Sequence, residues 1–372
     1  VICRKSKIKM KRFIKLIIQL IVFAIVFAAL YLAVIIVWGT LTDYRPDEIT
    51  ELKIGGNALP GELTDSTFTL LSWNIGFCGL GAEMDFFYDG GKMVRPTKQL
   101  TEKYTNGILK YLQSVDSLDF ILLQEADKNS ARTNKQDEIE MIQAALPKHA
   151  SSFGTNYNVQ FVPLPFTNPL GKVEMGQLNL SKYKPESSQR YSFFSAYAWP
   201  KRLFMLDRCF VISLFKLDNG KDIVLMNTHN SAYDAGGKLR EAEMPIIRDL
   251  MIEEYKKGNY VVAGGDWNQN PPDYDLDEVD KKYPAVLREK LDASLFPSDW
   301  QVVYDPENPT NREIDAPLQK NKTEVTIIDY YILSPNIHVE QIKTFSQNFE
   351  FSDHEPVYMK IKINHKIYQN EQ

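Results

Sequence analysis

The sequence predicts an α/β fold: two packed mixed β-sheets flanked by helices, preceded by one transmembrane helix. Three observations lead there. A stretch near the N-terminus carries no charged residue for 23 positions from Leu16 to Trp38. After Ser66, short runs rich in β-branched and aromatic residues alternate with a few segments of helical apolar spacing. Several of those runs end abruptly in polar residues able to do chemistry. A hydrophobic fraction of 44% and an aromatic fraction of 12% supply enough apolar surface for a sizeable core.

Taken in order, residues 1–12 form a basic segment expected on the cytoplasmic side, and 13–38 a membrane anchor. The span from Phe13 to Trp38 has no polar face, as a buried core helix would have. It is also longer than the apolar region of 7–15 residues that marks a cleaved signal peptide. At 1.5 Å per residue it crosses a hydrocarbon core of about 30 Å. Arg4, Lys5, Lys7, Lys9, Lys11, Arg12 and Lys15 precede its charge-free stretch from Leu16 on, with no acid among them. The positive-inside rule then keeps the N-terminus cytoplasmic and puts everything after Trp38 outside.

Residues 39–66 read as a linker, with Pro46, Gly55-Gly56 and Pro60-Gly61 as breakers. Residues 67–365 form the folded domain, and 366–372 a tail. Strands are expected at 68–73, 120–123, 157–162, 191–197, 209–217, 223–227, 260–263 and 326–333. Helices are expected at 101–113, 137–146 and 239–257, the last stopped by Gly258-Asn259. Segments 79–97 and 163–190 read as insertions, the first as a rim loop shaping a cleft.

Cys3, Cys78 and Cys209 show no metal spacing, and the last two lie in apolar runs, so buried free thiols are expected. The net charge of -5 conceals an asymmetry: beyond the basic N-terminus, 36 basic residues face 48 acidic ones. So acidic a domain is a poor general binder of nucleic acid, whose non-specific affinity comes from Lys and Arg neutralising phosphates.

The polar clusters are Ser72-Trp73-Asn74, Leu123-Gln124-Glu125, Asn227-Thr228-His229-Asn230, Gly264-Gly265-Asp266-Trp267-Asn268 and Ser352-Asp353-His354-Glu355-Pro356-Val357, with Asp329 inside Ile327-Ile328-Asp329-Tyr330. In this order, across 280 positions from Asn74 to His354, they resemble the endonuclease/exonuclease/phosphatase superfamily. The resemblance spans about Thr67 to Ile363 and implies a four-layer α/β sandwich in which the clusters meet at one rim. It also implies a metal-dependent phosphoric ester hydrolase: a phosphodiesterase, phosphatase or nuclease.

Phosphoester cleavage needs charge on the phosphoryl oxygens, an activated nucleophile and help for the leaving oxygen. Under the resemblance Glu125 is the main metal ligand, with Asn74 beside it and Asp353 as a further acid on the metal side. The expected ion is Mg2+, with Mn2+ as an alternative, because hard cations take carboxylate oxygens. Asp266 and Asn268 lie two apart on a stretch read as extended, which points both side chains to one side. There Asp266 orients or deprotonates water and Asn268 donates to phosphoryl oxygens. His354 and Asp329 read as an imidazole–carboxylate pair. His229 resembles the other active-site histidine. Arg132, Arg208 and Asn230 are candidate substrate contacts. His149, His338 and His365 match no motif.

The leading reading is therefore an anchored phosphoesterase acting outside the cytoplasm on a phosphate ester, tethered to the membrane through residues 13–38. An extracytoplasmic nuclease acting on DNA or RNA is the alternative, disfavoured by the acidic domain. A catalytically dead binding module would not need every polar position filled. No protein partner is legible.

Overall fold

The computed structural model describes residues 2–193, 197–232 and 238–363. The tail 366–372, His365 and the middle of the strand expected at 191–197 lie outside them. Helix α1, Ile2–Leu41, carries the apolar stretch, and its section Lys9–Leu41 is long and apolar enough to cross a membrane. It continues through the basic N-terminal residues, past the limits 13–38.

The segment 39–66 is more than a tether. It contributes β1, Ile49–Glu51, and β2, Ile54–Gly56, which pair antiparallel with strands of two different sheets. Three-residue strands are too short to show alternation, so only their pairing reveals them. There follow β3 (Thr67–Asn74), α2 (Lys98–Ser114), β4 (Phe120–Asp127), α3 (Glu138–Ala145), β5 (Ala150–Val162), β6 (Gly171–Ser181), β7 (Ser187–Ser192), β8 (Cys209–Lys216), β9 (Asp222–His229), α4 (Lys238–Lys256) and β10 (Tyr260–Asp266). The chain ends with α5 (Leu276–Asp280), β11 (Gln301–Val303), β12 (Asn311–Arg312), β13 (Val325–Thr326), β14 (Asp329–Leu333), β15 (Ile337–Thr344) and β16 (Val357–Ile363).

Helix starts follow capping chemistry. Thr97 accepts a hydrogen bond from the Leu100 amide at the head of α2, and Asp137 does the same for Glu140 at the head of α3.

Two seven-stranded mixed sheets result, ordered β1-β7-β8-β9-β10-β14-β11 and β15-β16-β3-β4-β6-β5-β2. Phe68, Leu70, Phe120 and Leu122 of one meet Phe215, Leu225, Val262 and Tyr331 of the other in the central core. The outer face of the second sheet buries Leu71, Ile121 and Leu123 under Ile108, Leu112 and Ile142 of α2 and α3. The outer face of the first buries Met226 and Val261 under Ile247 and Met251 of α4. Four layers follow, and strands covered on both faces read as continuous apolar runs.

The expected insertion at 163–190 is a misreading, because it holds β6, a central strand between β4 and β5. Its inward face is polar: Gln177 and Asn179 are buried there. Asn179 accepts from Asn227 Nδ2 at 2.9 Å and donates to Ser213 Oγ at 3.0 Å. Asn227 also accepts from Gln124 Nε2 at 2.7 Å, so buried amides cross-link the sheets next to the strand ends. These bonds tie β4 of one sheet to β9 of the other, the two strands that carry Glu125 and His229. Cys78 and Cys209 are buried and free, as expected.

Candidate active site

The strand ends place the side chains. β10 lies between β9 and β14, with Asp266 opposite both His229 and Asp329. Asn74 ends β3 opposite Gln124, and His354 precedes β16, which pairs with β3.

Glu125 is aimed by a bulge. Ile121, Leu123 and Ala126 all face α2 and α3, which strict alternation forbids. An extra residue resolves the conflict: the β4–β6 register slips between Leu123 and Ala126, and Glu125 takes φ 57°. A non-glycine residue there is strained, and such strain persists where the surroundings over-determine it.

Two glycines open the space. A Cβ on Gly76, at φ +50°, would lie 2.8 Å from Asp353 Oδ1. A Cβ on Gly265, at φ +150°, would lie 2.0 Å from the Thr228 carbonyl oxygen on the neighbouring strand. Backbone cannot yield there as a side chain could. Gly265→Ala is expected to lower stability by more than about 2 kcal/mol, the scale of overpacking with added backbone strain. Thermal unfolding of the full chain in detergent checks this; an unchanged midpoint would refute it.

The resulting geometry is tight. Asn74 Oδ1 accepts from the Gly76 amide at 3.0 Å. That turns Asn74 Nδ2 toward Glu125 Oε1 at 3.3 Å and Asp266 Oδ2 at 3.0 Å. His229 Nε2 lies 3.4 Å from Asp266 Oδ2 and 3.8 Å from Glu125 Oε1. His354 Nδ1 lies 2.8 Å from Asp329 Oδ2, and its Nε2 lies 3.7 Å from Asp266 Oδ2 and 4.0 Å from Asp353 Oδ2. Asp329 is fixed in turn by Thr310, whose Oγ1 accepts from the Asp329 amide.

Burial dominates the electrostatics. It raises the Glu125 carboxyl above the usual range; Arg132 works against this and the Asp353 charge adds to it. Burial likewise raises Asp353, and it pushes Asp266 up to about 7. For His354 burial disfavours the charged form, but Asp329 and Asp266 outweigh it and hold its pKa well above the usual value. Burial, together with the charges of Arg208 and His354, drives His229 well below its usual value, so it is neutral. One contact opposes the charge on His354: Asn311 Nδ2, a donor, sits 3.0 Å from its Nε2. The neutral ring would accept that bond; the charged ring, with a proton on Nε2 as well, needs the Asn311 amide turned so that its Oδ1 faces the ring.

The structure brings most of the expected residues together, and three of them sit differently. Asn268 is not on extended backbone: it takes φ 53°, and its amide N–H bonds Asp266 Oδ1 in an Asx turn. The turn occupies Oδ1 and leaves Oδ2 to the site, while Asn268 Nδ2 bonds the Asn230 carbonyl at 2.9 Å. Arg132 is buried, bonds both oxygens of Asp127 at 2.8 and 2.9 Å, and stacks 3.6 Å over the Phe77 ring. Its Nε and Nη2 are committed to Asp127, so the structure places it as the partner of that carboxylate rather than as an open substrate contact. Asn230 is fully buried with its side chain on Thr228 and Met244, so it too is no open substrate contact. Arg208 is half-buried, with Nη1 bonding the His229 carbonyl at 3.3 Å, and stays at the site.

Asn311 and Thr310 were missed. They follow Asn308-Pro309 with no apolar run before them, so a search of strand ends passes over them. Arg312 beside them is buried and donates to the Leu80, Gly81 and Met84 carbonyls, pinning segment 79–97 to the site.

The donor set suits a hard divalent cation. Three carboxylates, the half-buried Glu125 and the buried Asp266 and Asp353, face the same space and gain from a positive charge between them. Among the described residues, Asp266, Asp329 and His354 also each offer a ligand atom within 4.8 Å of the others. In that trio His354 Nδ1 and Asp329 Oδ2 already satisfy each other at 2.8 Å, which favours the Glu125 side for an ion.

No protein-family model matches the sequence, and no curated protein matches it. Solved structures do match. One is an endonuclease/exonuclease/phosphatase from Beutenbergia cavernae DSM 12333, 15% identical, covering 80% of this chain and 72% of that one, with TM-score 0.53. Another is ANGEL2, a 2',3'-cyclic phosphatase in complex with adenosine-2',3'-vanadate, 15% identical, covering 85% and 99%, with TM-score 0.53. A third is an endonuclease/exonuclease/phosphatase from Bacteroides vulgatus, 16% identical, covering 81% and 100%, with TM-score 0.50. The chain has the fold of these proteins: two packed mixed sheets flanked by helices, with an apolar N-terminal helix added.

Proposed function

We propose that this chain is a membrane-anchored, divalent-metal-dependent phosphoesterase that hydrolyses a phosphodiester or phosphomonoester by attack of water on phosphorus. The observation that carries the reading is the convergence of Asn74, Glu125, His229, Asp266, Asp329, Asp353 and His354 from six separate chain segments on one buried space. Helix α1 serves as the anchor; the seven basic residues before its apolar span favour a cytoplasmic N-terminus, with residues 67–365 as the catalytic domain outside.

The ion, Mg2+ with Mn2+ as a substitute, would be held by Glu125, Asn74 and Asp353, and when bound it draws charge from the phosphoryl oxygens. The residues supply the remainder. Asp266 Oδ2 takes the proton of the attacking water; a carboxyl pushed up to about 7 is well matched to that task near neutrality. As the new phosphorus–oxygen bond forms, the bond to the ester oxygen breaks, and that oxygen leaves and takes a proton from solvent. Neutral His229 donates from Nε2 to a phosphoryl oxygen. Charged His354, held by Asp329, donates from its Nε2 to another, where negative charge grows. Arg208 stands at the edge as a contact for substrate phosphate.

The test is a panel of phosphoesters: DNA, RNA, phospholipids and sugar phosphates, with the full chain in vesicles. EDTA is expected to abolish turnover of one class, and Mg2+ in excess of the chelator to restore it. Turnover unaffected by chelation would refute the metal-dependent reading, and preference for DNA or RNA would select the nuclease form of it.

A further inference from the structure

The N-terminal helix does not stand clear of the folded body. Its last turns pack on β5 and on the segment before β8. Ile35 is buried there, and a cavity of about 370 Å³ lies between Tyr31, Ile35 and Trp38 on one side and Val159, Phe161 and Leu203 on the other. Two polar contacts pin the helix end: Trp199 Nε1 donates to Thr40 Oγ1 at 3.1 Å, and Arg202 pairs with Asp43 at 2.7 Å.

These contacts fix the direction of β5. Tyr44, just past the end of α1, lies under the Arg190 guanidinium at 6.0 Å, and Arg190 Nε bonds the Thr155 carbonyl at 2.7 Å. Thr155 is thus level with the chain leaving the helix. Val159 and Phe161 line one cavity with Tyr31, Ile35 and Trp38, which precede Tyr44 along the helix. Moving along β5 from 155 to 161 therefore runs back down α1, toward its apolar middle. The strand continues to Val162, turns, and returns as β6 from Gly171.

A span of about 20 residues beginning at Leu16 ends near Ile35, so Tyr31 to Trp38 mark the boundary between hydrocarbon and headgroups. The β5–β6 turn lies beyond Phe161 on the same descending path. There Leu164 is 43% and Phe166 72% exposed. Trp199, 55% exposed, sits at the level of Thr40, where an interfacial aromatic belongs.

We propose that the β5–β6 turn is a second membrane contact, with Leu164 and Phe166 seated in the leaflet from which α1 emerges. This rests on reading α1 as a membrane span. The turn is also tied to the rim segment 79–97. Tyr88 Oη donates to the Leu164 carbonyl at 2.7 Å, and Arg95 donates to the Pro169 carbonyl. From Tyr88, ring contacts lead through Phe86 to Phe77, on which Arg132 stacks. Seating the turn therefore fixes the rim segment 79–97 relative to the bilayer surface.

The test uses the full chain with Cys3→Ser, leaving the buried Cys78 and Cys209 in place. Phe166→Cys, and separately Leu164→Cys, carry an environment-sensitive fluorophore. Glu186→Cys, exposed next to β7 and remote from the turn, is the control. The protein is placed in phosphatidylcholine–phosphatidylglycerol vesicles containing lipid with a nitroxide high on its acyl chain. The expected result is several-fold stronger nitroxide quenching and weaker iodide quenching at 164 and 166 than at 186. Equal quenching at all three sites in protein that floats with the vesicles would overturn the proposal and leave the anchor standing. Protein that does not float would overturn both, without bearing on the phosphoesterase site.

Discussion

Replacing His354 by alanine is expected to lower kcat by about 10²–10³-fold, the usual cost of removing one donor aimed at charge that develops in the transition state. The ring sits 2.8 Å from Asp329 and 3.7 Å from Asp266, which favours its charged form before substrate arrives. Asp329→Asn separates this role from simple packing. Burial opposes the charge on His354, and Asp329 is the strongest influence favouring it. Without that carboxylate the imidazole loses its proton at lower pH. If the protonated ring is the active form, activity falls as pH rises through its pKa, so the alkaline limb of the pH–rate profile moves to lower pH in Asp329→Asn. An unmoved limb, or a limb moved to higher pH, would exclude the charged ring as the working form.

Arg132→Met should cost about 3–5 kcal/mol of stability, because removing one partner of a buried ion pair leaves the other charge uncompensated. Asp127 is fully buried, and both its oxygens are bonded to Arg132. The measurement is thermal unfolding of the purified variant. The double variant Arg132→Met with Asp127→Asn should recover part of the loss, since no bare carboxylate remains. A single variant as stable as the parent would show that the pair is not holding the 127–133 turn.

The core strands were legible because both faces of each sheet are covered, which turns a strand into an apolar run with a sharp polar end. Glu125, His229 and Asp266 stand at such ends, Asp329 opens β14, and His354 sits just before β16. The bulge that aims Glu125 left no mark in the sequence, because it depends on which partner strand slips. β6 was lost for the opposite reason: Gln177 and Asn179 face the other sheet and are satisfied by it, so an interior strand reads as polar. Thr310 and Asn311 follow no apolar run. Arg132 misled because a basic residue seven positions after Glu125 looks available for phosphate until its carboxylate partner is seen. Acidic composition, by contrast, bears on the substrate without any knowledge of the fold.

The most direct test follows the oxygen. One turnover of the ester identified in the panel is run in oxygen-18 water, and the phosphorus NMR isotope shift of the product is read for the parent, His354→Ala and chelated protein. One labelled oxygen is expected on the phosphoryl product of the parent, formed far more slowly by the variant and not at all with chelator. An unlabelled phosphoryl product, with the label in the alcohol instead, would place bond breaking at carbon and contradict attack of water on phosphorus at this site.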